Sequence, residues 1–225
     1  MIIRMKNGEY HAGSASVLLE YLGLKKEASD QWPVGIQKVA GNVELIASVP
    51  FLLTADIEAG EGFPWTLSTY HLDCFGERID PKGWDFKRYM DNPVVEWAHL
   101  YHVPAIGKIE GLIVDDVGLH GLVFFNSKDF DPFGWAIGQR VKAGVIRAGS
   151  VGFRVKEIEI PSKEDSRDGT SLIFRKQELL EFSICNVPAN PFALAKRNEE
   201  LEIKKETGNN ANPFWGSFIN NLQGE

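Results

Sequence analysis

Cysteine is scarce in this chain. Cys74 and Cys185 stand far apart, so neither a disulfide framework nor a CxxC metal site can be read from them. A reducing compartment is the simpler expectation. Long apolar runs are also missing, and no segment approaches the roughly 20 residues that would span a bilayer. The start, "MIIRMKNGEYHAGS", lacks the layout of a signal peptide. These absences predict a soluble, intracellular protein with no membrane partner. Basic blocks are absent too. Lysine and arginine number 24 against 31 acids, for a net charge of −7, and they are scattered among those acids. That argues against sequence-independent binding to nucleic acid.

What the chain does have is 22 glycines, 11 prolines, 14 phenylalanines and six tryptophans in 225 residues. Many turns and an aromatic core favour strands over a helical bundle. Residues 14–28 predict a short amphipathic helix, capped by Ser14 or Ser16, with Val17, Leu18, Tyr21 and Leu22 at helical spacing. From Val43 the texture turns to strands, "VELIASVPFLL" and then "TLSTYHLD". A turn-rich loop over 74–86 leads into a predicted short helix, "WDFKRYMDN", and then a strand, "NPVVEWAHL". Residues 105–125 predict two strands joined at "DDVG", and 131–144 a helix ending at Gly144. A strand follows, then a polar loop over 161–170, a strand or strand pair over 171–190, and a helix after Pro191. No internal repeat is present. The fold expected is mainly β (α+β), a compact antiparallel barrel or sandwich decorated by helices. The division expected is an N-terminal extension over 1–40, a β domain over 41–195 and a tail over 196–225.

The chemistry centres on "GVIRAGSVGFRV", where Ser150 sits among Ala148, Gly149 and Gly152 and a strand follows. A serine hydroxyl needs a base, and the base is usually held by a third group. All five histidines (11, 71, 99, 102 and 120) precede Ser150. That order excludes the α/β-hydrolase elbow, which requires a strand–turn–helix and a downstream histidine. A papain-like pair with Cys185 fails for the same reason. Nothing around Cys74 argues for an activated thiol. His99 lies at the end of a strand-like run, positioned yet reachable, although a backbone-bonded histidine would look the same. A metal on His99 and His102 lacks a clear third ligand. In "QELLEFSICNVP", Leu180, Phe182 and Ile184 alternate with Glu181, Ser183 and Cys185. Glu181 therefore either lies on a solvated face or orients an imidazole. Gly149 and Gly152 would let a substrate backbone approach and would leave N–H groups available to an oxyanion. They would equally mark a bulge or a close strand crossing.

Four blocks in order resemble the prohead (capsid maturation) serine proteases of tailed bacteriophages, a family related in fold to herpesvirus assemblin. They are "STYHLDCFGERIDPKGWDF", "NPVVEWAHLYHVPAIGKIE", "RVKAGVIRAGSVGFRV" and "ELLEFSICNVPANPFA", together covering roughly residues 66–195. The family often has Asp directly after the histidine, where Leu100 stands here. The resemblance implies an assemblin-like β-barrel with Ser150 as nucleophile, His99 as base and Glu181 as the acid. It implies oxyanion or substrate contacts around Gly149, Gly152, Arg147 and Arg154, and no metal or organic cofactor. The implied substrates are the major capsid protein and scaffold segments, cut inside the immature capsid in the cytoplasm of the infected bacterial host. A self-cleaved or docking tail and a homo-oligomer remain open. The rival readings are a dormant capsid-assembly module and a different serine hydrolase, an esterase or amidase.

Overall fold

The computed structural model describes residues 2–4, 10–12, 15–27, 31–39, 44–50, 62–73 and 75–186. In chain order these form β1 (Ile2–Arg4), β2 (Tyr10–Ala12), α1 (Ala15–Tyr21), β3 (Gly35–Lys38), β4 (Glu44–Pro50), β5 (Phe63–Thr69), β6 (Glu77–Ile79) and β7 (Trp84–Asp85). They continue as β8 (Val94–Trp97), β9 (Gly107–Val114), β10 (Gly118–Phe125), α2 (Pro132–Lys142), β11 (Ala148–Ile160) and β12 (Leu172–Cys185). The strands make one sheet in the order β2-β1-β4-β11-β12-β8-β9-β10-β5, with β3 on β11 and with β6 and β7 on β12. The sheet curls into a half barrel.

The mainly-β expectation therefore holds, with one correction. The sheet is not wholly antiparallel, because β6, β7 and β8 all run parallel to β12. Among the described residues before position 40, β1 pairs with β4, β3 pairs with β11, and Leu18, Leu19 and Leu22 of the α1 region lie in the core. The expected helix at "WDFKRYMDN" is absent. Trp84 instead enters the sheet as β7, and a single 3-10 turn spans Tyr89–Asp91. Burial of Trp84 and Tyr89 overrides the weak local periodicity, and Pro93 bars a longer helix. Residues 171–190 form one strand as far as Cys185; the expected helix after Pro191 and the tail lie outside the described residues, as do Ser14 and Cys74.

Two expectations rest on visible chemistry. At "DDVG", the Asp115 carboxylate accepts from the N–H groups of Val117 (2.7 Å) and Gly118 (2.9 Å), closing the β9–β10 hairpin. At α2, Asp131 caps the Gly134 N–H (3.0 Å), and Gly144 ends the helical segment at a φ of 68°. The core is aromatic, as the composition suggests. Trp65 meets Phe182 edge-on at 5.6 Å, and Phe153 meets both Trp84 (5.6 Å) and Phe174 (5.2 Å) in the same way.

One buried carboxylate lies away from the site and sets a pH response. Burial, with Asp73 adjacent, pushes the Glu77 carboxyl up to about 8, and its Oε1 has no hydrogen-bond partner among the described residues. In the unfolded chain this group ionises at its ordinary value of 4.5. Between those two pH values the native state holds a proton that the unfolded state has released, so this contribution to stability falls as pH rises. Glu77→Gln should remove that fall. Thermal midpoints of both proteins from pH 5 to 9 check this, and the variant should gain on the wild type up to about pH 8 and then level off.

Candidate active site

Ser150 lies in the middle of the sheet, because β11 is paired on both sides there. It faces Ser48 on β4 and Ser183 on β12. Directly opposed residues of an antiparallel pair project to the same side, with Cβ atoms roughly 5 Å apart. Ser150 and Ser183 are therefore neighbours on one face, along with Gly152 and its partner Glu181. Val151, Phe153, Phe182 and Ile184 fill the opposite, core face. Alternation along the two longest strands thus separates the apolar face from the chemical one. Ser150 has no exposed surface in this state.

The imidazole arrives from the end of β8. That strand runs parallel to β12, with Val95 beside Phe182 and Glu96 beside Ser183. The pairing extends through the Ala98 N–H to the Ile184 carbonyl (2.8 Å), and the chain then reverses. Ala98 and His99 both have positive φ, 53° and 59°, and the Leu100 N–H returns to the Trp97 carbonyl at 2.9 Å. The φ signs and the closing bond are those of a type I′ turn. Two non-glycine residues in this region cost about 1–3 kcal/mol each and persist only where surrounding contacts impose them. The turn aims His99 back across β12. Its Nδ1 lies 2.5 Å from Glu181 Oε1.

Glu181 is buried and takes two further hydrogen bonds. The Tyr101 hydroxyl donates to Oε1 (2.7 Å) and the Ser183 hydroxyl to Oε2 (3.2 Å). Ser183 Oγ in turn accepts the His99 backbone N–H (3.1 Å). With its proton on Nδ1, His99 is a third donor to this carboxyl and presents Nε2 as an acceptor.

The ladder slips beside this pair. Gly152 faces Glu181 but Phe153 faces Leu179, so Leu180 is the extra residue of a bulge in β12. This corrects the simple alternation expected along 180–185. Leu179 rather than Leu180 joins the core, and Leu180 turns toward a cleft of about 370 Å³. The cleft opens where residues 179–181 lie between β7 and β8, neither of which pairs with them. Arg88, Tyr89, Glu96, Tyr101, Gly152 and Arg154 also line it. Burial, with Glu181 and Glu96 nearby, pushes the Tyr89 phenol far above its usual range, and its O–H donates to the Val94 carbonyl (2.6 Å).

The remaining expected residues fall in distinct places. A Cβ on Gly152 would sit 2.5 Å from Glu181 Cγ and Oε1, so this glycine makes room for the acid. A Cβ on Gly149 would instead meet Phe182 (2.6 Å) and Trp65 (2.7 Å), so this glycine makes room for the core. Arg147 donates to the Gly144 carbonyl (2.7 Å) just after α2. Arg154 reaches Glu178 (2.9 Å) and Glu44 (3.3 Å) at the cleft. Burial raises the Glu178 carboxyl, but Lys156 and Arg154 outweigh it and hold the group below its ordinary value. His102 and His71 are exposed. His120 is buried between Thr66 and Asp115, 3.0 Å from each, clamps the β9–β10 hairpin and does not line this cleft. Sequence reasoning did not single out Tyr101 or the roles of Ser183. Alternation does put Ser183 on the Glu181 face, but nothing in the sequence marks Tyr101, which returns to the site only through the turn.

A buried carboxylate that fixes an imidazole, with a strand-borne serine alongside, is an arrangement used by serine hydrolases. Here it is carried on a curled, mainly-β sheet. The family described as caudovirus prohead serine protease matches residues 65–207, and the chain belongs to that family. No curated protein and no solved structure matches the chain.

Proposed function

We propose that this protein is the serine endopeptidase of phage prohead maturation, with Ser150, His99 and Glu181 as its catalytic residues. The observation that carries the reading is the His99–Glu181 hydrogen bond, set diagonally across the β11–β12 ladder from Ser150 on the same face. Family membership supports the reaction class. In the acylation step the Ser150 hydroxyl adds to the scissile carbonyl while His99 Nε2 takes its proton. The carbon–nitrogen bond then breaks as His99 returns that proton to the leaving amine. Water, deprotonated by the same nitrogen, hydrolyses the acyl-enzyme and restores Ser150.

The oxyanion needs donors that are not already bound in the sheet. β11 is paired on both flanks, so its amides become available mainly where the ladder slips, beside Gly152. Gly149 remains in this reading as a flanking backbone group. Arg147 and Arg154 bracket Ser150, and either would have to leave its present partners to reach an oxyanion. Because Ser150 is fully covered, productive binding also requires this face to open.

The substrates in this reading are the major capsid protein and scaffold segments within the immature shell, and the fold relation is to assemblin. The tail over 196–225 is a candidate for self-cleavage. Co-expression of the wild type and of Ser150→Ala with the neighbouring capsid gene product, read by intact mass, tests the proposal. Cuts that appear only with the wild type are expected. Uncut capsid protein with both would favour a dormant assembly module on the same fold.

Two glycine variants separate the core face from the chemical face. Gly149→Ala forces a methyl into Phe182 and Trp65 and should destabilise the protein by about 1–3 kcal/mol. Gly152→Ala displaces the Glu181 carboxylate and should lower turnover on the order of 10²-fold, with a smaller loss of stability. Thermal midpoints and peptide turnover of both variants check the contrast. Equal effects on both quantities would contradict it.

A further inference from the structure

We infer that Ser183 is a positioning residue, which locks the His99 turn to the Glu181 carboxylate through its single hydroxyl. The inference rests on the proposed roles of His99 and Glu181. Ser183 has no exposed surface and sits in β12 between Ser150 on one side and Glu96 on the other. Its oxygen accepts the His99 N–H at 3.1 Å, and its hydrogen goes to Glu181 Oε2 at 3.2 Å.

The direction of this chain is fixed by chemistry. A backbone N–H can only donate, so Ser183 Oγ is the acceptor there and its own proton is left for the carboxylate. With Oε2 held in this way, Oε1 is left to face His99 Nδ1 and Tyr101. One side chain therefore determines both the place of the imidazole and the rotation of the acid that orients it.

The backbone needs such a clamp. Positive φ at both Ala98 and His99 is unusual for residues with a Cβ, and asparagine and glycine, which suit such a turn, are absent there. The Ala98 N–H bonds to the Ile184 carbonyl and the His99 N–H to Ser183 Oγ, and these two bonds tie the turn to β12. Without the Ser183 oxygen the His99 amide loses its acceptor, and the turn can relax toward ordinary geometry. The imidazole then swings away from Glu181.

The test uses two readouts on the full-length chain. The first is the downfield proton resonance of the His99 imidazole N–H bonded to Glu181, recorded in a Ser150→Ala background to prevent self-processing. Ser183→Ala should erase or broaden this signal, and Ser183→Thr, which restores a hydroxyl, should return it. The second is turnover of a peptide spanning the cleavage site. Ser183→Ala should lower kcat roughly 10- to 100-fold with KM nearly unchanged, and Ser183→Thr should recover most of the loss. An unchanged resonance with unchanged kcat in Ser183→Ala would overturn the inference and leave the proposed catalytic residues standing. Should Ser183→Ala fail to fold, Ser183→Cys replaces it. A folded cysteine variant that keeps the resonance overturns the inference, and one that loses it supports the inference. If the wild type cuts no capsid protein, the proposed function fails, whereas the resonance still decides the role of Ser183.

Discussion

Ser150→Ala is expected to abolish cleavage, lowering turnover by about 10³- to 10⁶-fold while the fold persists. The range reflects what a serine hydrolase keeps when its nucleophile is removed, namely the binding and oxyanion groups. The Ser183 hydroxyl is not placed to substitute. Ser183 lies directly opposite, but its proton is directed at Glu181 and its oxygen holds the His99 N–H. The alanine fits the same buried position, so its effect on stability should stay near about 1 kcal/mol, a shift of a few degrees in thermal midpoint. Intact-mass kinetics and a melting curve on the same preparation separate the two effects. A variant that melts far below the wild type would show that the hydroxyl is mainly structural. A variant that still cuts would remove Ser150 from the mechanism.

Glu181→Gln is expected to lower kcat by about 10²- to 10⁴-fold with little change in melting. The carboxylate receives three donors: the Tyr101 hydroxyl, the Ser183 hydroxyl and His99 Nδ1. Glutamine has the same shape but replaces one acceptor oxygen with an NH₂ group. With that group at the Oε1 position, His99 must present a bare Nδ1 and carry its proton on Nε2, so it cannot take the proton from Ser150. With it at the Oε2 position, the NH₂ group donates to Ser183 Oγ, and the Ser183 proton loses its acceptor, which loosens the clamp on the acid and the His99 turn. Either arrangement disturbs the base, and the first disables it. A pH–rate profile distinguishes this from simple loss of folded protein, since a wrong tautomer lowers the plateau of kcat at every pH. Glu181→Gln with wild-type kcat would shift the orienting role to another acid, and Glu96 beside Ser183 would be the first to examine.

Much of the site is legible along the chain because strand alternation is a local property. The two-residue period puts Ser150 and Gly152 on one face of β11, and Glu181 and Ser183 on one face of β12. The order of His99 before Ser150 excludes the α/β-hydrolase arrangement without any structure. The caps of the β9–β10 hairpin and of α2 are equally local, since Asp115 and Asp131 bond to amides two or three residues away. Where burial competes with local pattern, the reading fails. Trp84 and Tyr89 abandon a helix-like sequence because the sheet and core take up their rings.

By itself, then, the amino-acid order determined the mainly-β class and which face of each long strand carries polar groups, because these follow from side-chain period and short-range hydrogen bonds, and its four blocks carried the resemblance to the family. Only the tertiary structure decided that β8 runs parallel to β12, that Leu180 bulges, and that the Ala98–His99 turn brings an imidazole onto Glu181. The β8 pairing and the His99 contacts join residues some 80 positions apart, with separations such as 82 for His99 and Glu181 and 84 for His99 and Ser183, and the bulge depends on the register between β11 and β12. No local propensity encodes such pairings. They form because packing both long strands on one aromatic core leaves a single register in which every buried polar group of this network meets a partner.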